Sequence, residues 1–350
     1  MIKRTNKICI SGPTDRPWVQ DELRAAGCEV VLGRSIEDFP DHLYDEGSLI
    51  GLIGDSDMLL VSTRERVTGG VLEGCKNLRA VVKASIGVEN VDIEKATELG
   101  VLVCNSPAPE NFIGLAEATV GLILALIKRL KLNEEDIRHG GWKKEANTGD
   151  LIFGKTVGLV GMGRVAKEVA KRFQGWGVKV IAYDPYVSGG EAAALQVAMV
   201  PLETLLQQSD VVSVHVVLNA ETRHIIGRRE LRLMKPSAFL VNTSRGGAID
   251  QKELVAALSE NVIAGAAVDV FEKEPLPMDD PLRSLDPARL ILTPHIIGNS
   301  LISRDRGHQM AIQTILQLLR GEVPAAVLNP QAAPRWRRRF VNPEGTGDRG

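Results

Sequence analysis

The stretch "GKTVGLVGMGRVAKEVAKRF", residues 154 to 173, limits the possible folds of this 350-residue chain more than any other segment. A β-rich run enters Gly161-Met162-Gly163-Arg164-Val165-Ala166, and a helical pattern leaves it. Gly161 can make the tight turn, Gly163 lets the backbone approach a pyrophosphate, and Ala166 is small enough for close helix–strand packing. The helix N-terminus then offers free N–H groups and a partial positive charge to phosphates. The next strand ends in "AYDPY", which puts Asp184 about 20 residues on, where a carboxylate accepts from adenosine ribose hydroxyls and repels a 2′-phosphate. The pattern predicts a dinucleotide-binding βαβ unit that favours NAD over NADP. The plainer alternative is a glycine turn beside a surface aspartate.

Short β-branched runs alternate with helix-like stretches along the whole chain, the pattern of parallel sheets with covering helices, so the fold class is α/β. Five runs in the first part, at 7–11, 29–32, 57–61, 79–83 and 101–104, predict one small doubly wound domain. After "NSPAPEN", residues 111–132 read as one long apolar connecting helix, followed by a polar stretch at 133–150. Six more runs, at 155–161, 179–184, 210–216, 238–243, 264–270 and 289–293, suit a dinucleotide-binding sheet. Residues 301–320 read as a helix returning to the first domain.

Charge and cysteine usage narrow the class. With 42 Lys+Arg against 44 Asp+Glu, the net charge of −2 leaves no overall field for nucleic acid or an anionic membrane. Cys9, Cys28, Cys75 and Cys104 are widely spaced, without a CxxC pair, and read as reduced core residues. The N-terminus lacks an apolar run of signal-peptide length, and "GLAEATVGLILALI" is short for a membrane span and carries Glu117, so a cytoplasmic location is expected. The Arg-rich, Pro/Gly-containing residues 331–350 are expected to be a disordered tail. No metal site is expected.

Three further motifs lie at strand ends, where ligands of open α/β sheets collect. "VNTSRGGAID" carries Thr243, Ser244 and Arg245, and a guanidinium can grip a carboxylate through two parallel hydrogen bonds; a surface salt bridge is the alternative. "VDVFEKEP" supplies Asp269, Glu272 and Glu274, as site residues or as a charged turn. "LTPHIIG" supplies His295 and Gly298. A histidine suits proton transfer near neutrality, and a carboxylate on its other nitrogen would fix the tautomer. Alone, His295 reads as a packed core histidine; beside the other strand-end groups it reads as an acid/base.

On these motifs, with "SDVVSVHVVLNAETRHII", "MKPSAFLVNTSRGGAID" and "AVDVFEKEPLP" in order, the chain resembles the D-isomer-specific 2-hydroxyacid dehydrogenases over residues 55–330. That family includes phosphoglycerate dehydrogenase, glyoxylate/hydroxypyruvate reductase and D-lactate dehydrogenase. The resemblance implies a flavodoxin-like substrate domain from residues 1–104 plus 299–330 and an inserted Rossmann NAD-binding domain from 105–298, with the active site in the cleft between them. It assigns Arg245 to the substrate carboxylate, Glu274 to the acidic partner, His295 to the acid/base and Asp269 to the nicotinamide carboxamide. The nucleotide would also meet Gly161, Gly163, Arg164, Val165, Asp184, Thr243, Ser244, Arg245, His295 and Gly298. For His215 a structural role is expected, and residues 133–150 match a segment that helps such enzymes form homodimers.

"KASIGVENVD" resembles the loop whose backbone N–H groups bind the substrate carboxylate, here Ser85, Ile86 and Gly87, with Ser85 in place of a usual glycine. Val217 stands where a proline is usual. In "VSTRERVT" only Arg64 matches one of the paired arginines of phosphoglycerate dehydrogenases, and Ser62 takes the other place. Glu274 argues against formate, and Ile86 against phosphite. The resemblance thus implies an NAD-dependent enzyme acting on a small D-2-hydroxy acid or 2-keto acid, such as hydroxypyruvate, glyoxylate or a phosphoglycerate-like compound. An NAD(H)-sensing binding protein of the same fold, similar to the corepressors, is the alternative.

Overall fold

Val, Ile and Leu fill short strands that pair into two all-parallel sheets in the computed structural model, which describes residues 5–12, 16–35 and 44–341. The chain divides into two compact units, Met1–Glu110 with Leu301–Gly350, and Asn111–Ser300. In the first unit β1 (Lys7–Ile10), β2 (Glu29–Leu32), β3 (Met58–Leu60), β4 (Ala80–Val82) and β5 (Leu102–Cys104) stand in the order β2-β1-β3-β4-β5, the flavodoxin order. β3, β4 and β5 are buried along their whole length, as expected of parallel strands covered by helices on both faces.

The second unit holds β6 (Thr156–Val160), β7 (Lys179–Tyr183), β8 (Ala198–Met199), β9 (Val211–Val214), β10 (Phe239–Asn242), β11 (Gly265–Val268) and β12 (Leu290–Leu292). Their order, β12-β11-β10-β9-β6-β7-β8, is the Rossmann arrangement with one strand added at an edge. β8 was not expected from the sequence: it is two residues long, too short to carry a periodicity, and joins by pairing Ala198 and Met199 with Ile181 and Ala182. The helix Arg164–Phe173 buries Ala166, Val169, Ala170 and Phe173, an i, i+3, i+4, i+7 stripe against the sheet.

The connecting helix differs from its expected form. It spans Pro109–Ile127, and Arg129, at φ +50°, breaks the backbone before a second helix, Leu130–Arg138. The first of these helices is long and apolar enough to cross a membrane. Here it buries Ala116, Val120, Leu122, Ile123, Leu126 and Ile127 in the core of the second unit, and Glu117 pairs with Arg172 at 3.0 Å.

The tail also needs correction. Residues Ala333–Phe340 form a helix rather than a disordered segment, while 342–350 lie outside the described residues. Ala332, Ala333, Trp336 and Phe340 make an apolar stripe, and Trp336, 1% exposed, enters the same core as Ile312, Ile315 and Leu318 of the helix Leu301–Leu319. One of the arginines serves the packing. Arg339 donates to the carbonyls of Leu99 and Lys76, and its guanidinium lies 4.5 Å from the centre of the Phe340 ring. Just before this helix, buried Asn329 accepts from Val103 N–H at 2.8 Å and donates to the Val101 carbonyl at 2.9 Å.

Replacing Trp336 with alanine should therefore cost the first unit about 3–5 kcal/mol, the range for a buried aromatic deleted from a core. Urea denaturation followed by circular dichroism measures it. A loss below about 1 kcal/mol would show the helix to be peripheral.

Candidate functional site

Gly161 follows β6 at φ +92°, a conformation open to glycine, and a Cβ there would lie 2.7 Å from the His215 carbonyl oxygen. Gly163 N-caps the helix Arg164–Phe173 without a side-chain cap, and a Cβ built on it would meet nothing within 4 Å. The helix N-terminus thus has no side-chain cap and has room beside Gly163, which fits a phosphate. The Arg164 guanidinium stacks on the Phe112 ring, 4.9 Å from its centre. Asp184, one residue past β7, accepts from Met162 N–H and Tyr186 N–H, each at 2.8 Å. The bond to Met162, not foreseen from the sequence, ties the glycine turn to the end of the neighbouring strand.

The same edge of the sheet continues through β9, β10 and β11. His215 Nε2 lies 2.9 Å from Ser213 Oγ, and burial depresses the imidazole pKa to about 4, so this histidine is neutral near pH 7. Buried Thr243 shares a hydrogen bond with Thr119 at 2.9 Å. Asn242 escaped sequence reasoning. Its side chain accepts from Ser244 N–H and Oγ–H and donates to the Arg245 carbonyl at 3.0 Å, shaping the turn that presents Arg245. Gly246 lets that turn touch the next loop: a Cβ there would lie 1.9 Å from the Phe271 carbonyl carbon.

That loop brings Glu274 to His295, which follows β12. Glu274 Oε1 accepts from Phe271 N–H at 2.9 Å, and Oε2 accepts from His295 Nδ1–H at 2.7 Å. Burial pulls the Glu274 pKa upward, but the hydrogen bonds from His295 and Phe271 and the charges of His295 and Arg245 bring it below the usual carboxylate value. The hydrogen bond to Glu274 raises His295 above its ordinary 6.5; burial and Arg245 oppose the shift, and the charges of Glu274 and Asp269 assist it. His295 sits at φ +51°, its N–H held by the Asp269 carbonyl at 2.8 Å. Glu272 belongs elsewhere and pairs with His224 Nε2 at 2.6 Å.

Asp269 is 2% exposed and accepts from Thr293 Oγ1–H at 2.6 Å and Ile296 N–H at 3.2 Å; burial pushes its pKa up despite these bonds. Gly298 lies against the connecting helix, where a Cβ would be 2.8 Å from Leu115 Cδ1. In the first unit, the Ser85 and Ile86 carbonyls accept from Ser106 N–H at 3.0 Å and Asn105 Nδ2–H at 2.9 Å. Among the described residues, none accepts from the amides of Ser85, Ile86 or Gly87.

Comparison with known proteins gives the family. Residues 120–297 match the family profile described as D-isomer specific 2-hydroxyacid dehydrogenase, NAD binding domain. The chain is 38% identical to a glyoxylate reductase of Thermofilum pendens, over 87% of this chain and 89% of that one. It is also 38% identical to a D-3-phosphoglycerate dehydrogenase of Methanocaldococcus jannaschii, over 94% of this chain but only 60% of the relative. Among solved structures, the TT0316 protein of Thermus thermophilus matches with a TM-score of 0.83 at 31% identity, covering 92% of this chain and 99% of that one.

The His295–Glu274 pair gives a direct titration test. Glu274→Gln keeps the shape but removes the charge that favours the imidazolium, so the His295 pKa should fall relative to the unmutated protein. Histidine ring signals followed by NMR against pH report it, and an unmoved His295 would show that the 2.7 Å contact carries no charge coupling.

Proposed function

The chain belongs to the D-isomer specific 2-hydroxyacid dehydrogenase family, and from that premise we propose that it interconverts a small D-2-hydroxy acid and its 2-keto acid with NAD(H). The observation that carries the reading is the His295–Glu274 hydrogen bond of 2.7 Å on the edge that also holds the glycine turn and Arg245. The residues suit NAD. The uncapped first-turn amides after Gly163 receive the pyrophosphate, and Asp184, with both oxygens already oriented, receives the ribose hydroxyls and disfavours a 2′-phosphate.

When bound, the cofactor supplies or takes up the hydride. Arg245 grips the substrate carboxylate and polarises the neighbouring carbonyl. The Ser85–Gly87 amides are assigned to carboxylate binding as well. His295 gives a proton to the reduced oxygen, or removes it in the oxidising direction, while Glu274 holds the ring by Nδ1 and stabilises the imidazolium. Reduction needs protonated His295, so the raised pKa extends that activity to higher pH than a free imidazole would allow. Oxidation needs the neutral ring and rises where reduction falls.

The remaining features fit a cytoplasmic homodimer. Cys9, Cys28, Cys75 and Cys104 are free and buried, as in a reducing compartment. Ile137, Trp142, Leu151 and Phe153 are all more than half exposed, in and next to the segment 133–150, and provide apolar surface for a second copy.

Assays of glyoxylate, hydroxypyruvate, pyruvate and phosphohydroxypyruvate with NADH test the reading. At least one should turn over, and Arg245→Lys should cut its kcat/KM about a hundredfold while NADH still binds. Binding of NADH with no turnover of any of them would instead mark a nucleotide-sensing binding protein. Asp184→Ser should erode the preference for NADH over NADPH by about tenfold, and equal use of the two by the unmutated protein would remove that role from Asp184.

A further inference from the structure

We infer that Glu65 is a specificity-determining residue that closes the carboxyl edge of the first sheet to phosphorylated substrates, an inference that rests on the 2-keto acid reading above. Strand order in this sheet reverses between β1 and β3, and ligands of open parallel sheets bind beyond the carboxyl ends of the strands at such a reversal. Ser11 follows β1, Ser62 follows β3, and Lys83 follows β4 just ahead of the Ser85–Gly87 loop. Sequence similarity does not decide what this edge takes, because the glyoxylate reductase and the phosphoglycerate dehydrogenase are equally similar to the chain.

Glu65 organises the edge. Its side chain has no exposed surface, yet it carries a carboxylate. Ser11 Oγ–H donates to Oε2 at 3.1 Å, the Ser62 hydroxyl donates to the same oxygen, and Arg64 Nη2 lies 3.4 Å from Oε1. Arg64 also donates to the Arg34 carbonyl at 3.4 Å. Asn90 braces the turn, donating to the carbonyls of Ser62 at 3.1 Å and Glu65 at 2.6 Å and accepting from Lys83 Nζ at 2.5 Å. Among the other cations of this unit, Arg16 is 8% exposed and pairs with Asp305 at 2.5 Å.

A phosphate dianion needs arginine or lysine donors released to it. Arg64, Lys83 and Arg16 each already hold a partner, and withdrawing Arg64 from Glu65 would strand a buried carboxylate beside the incoming dianion. Glyoxylate has no group beyond its reacting carbon, and hydroxypyruvate has only a neutral hydroxymethyl. Neither asks the edge for a cation. The substrate class that fits is therefore a small, unphosphorylated 2-keto acid.

The test compares kcat/KM for glyoxylate, hydroxypyruvate and phosphohydroxypyruvate with NADH, in the unmutated protein and in Glu65→Gln. The unmutated protein should prefer hydroxypyruvate over its phosphorylated form by at least about tenfold, and the neutral isostere, which releases Arg64, should narrow that ratio by about tenfold. Equal use of both by the unmutated protein, or an unchanged ratio in folded Glu65→Gln, overturns the inference. Should the variant not fold, inhibition of hydroxypyruvate reduction in the unmutated protein decides: 3-phospho-D-glycerate should inhibit more weakly than D-glycerate, and stronger inhibition overturns it. Turnover of none of the three keto acids is a different result, which sinks the 2-keto acid reading and this inference with it.

Discussion

The rungs that finish the second sheet at its carboxyl edge determine where the candidate site residues lie. Gly161 N–H donates to Tyr183, His215 N–H to Val160, Asp269 N–H to Asn242 and Thr293 N–H to Val268, each at 2.7–3.1 Å. Because all strands run parallel, every one of these last bonds falls on the same side, and the residues just beyond them share one rim. A register slip of one residue in any strand would turn its site residue to the wrong face. Placement of Asp184, Arg245, Asp269 and His295 is thus a property of the backbone ladder, and the side-chain bonds refine it.

The two units use their rim carboxyl groups differently. At the rim of the second sheet, Glu274 meets a histidine that can gain or lose a proton, so the pair stores a charge that chemistry can use. At the rim of the first, Glu65 meets an arginine that stays charged and two hydroxyls that stay neutral, so none of its partners exchanges a proton near neutrality. One arrangement suits proton transfer and the other suits selection.

Much of this was legible in the sequence because β-rich runs ending in Gly, Asp or Asn announce strands, and strand ends announce the rim. The glycine turn, Asp184, Arg245 and His295 all lie just past such runs. Composition misled at Trp336: arginines and a nearby Pro/Gly stretch read as a solvated tail, although the alanines, Trp336 and Phe340 lie on one helical face and Arg339 donates to neighbouring carbonyls. The break at Arg129 depends on a left-handed backbone that arginine does not advertise. Bonds such as Met162 to Asp184, or Asn90 to Glu65, join residues too far apart in the chain for any local pattern to disclose.

Asn329 hydrogen-bonds to Val103 and Val101, and Arg339 to Lys76, across separations of 226, 228 and 263 residues. The second unit is one continuous stretch, whereas the first is assembled from segments on either side of it. On the ribosome, therefore, residues 111–300 have all their own contacts available while the five-strand sheet still lacks the helices Leu301–Leu319 and Ala333–Phe340 that complete its core. Until those two helices emerge, Ile8, Met58, Leu60, Val82 and Leu102 face the cell without their cover, and this half of the protein is the one exposed to proteases and chaperones during its making.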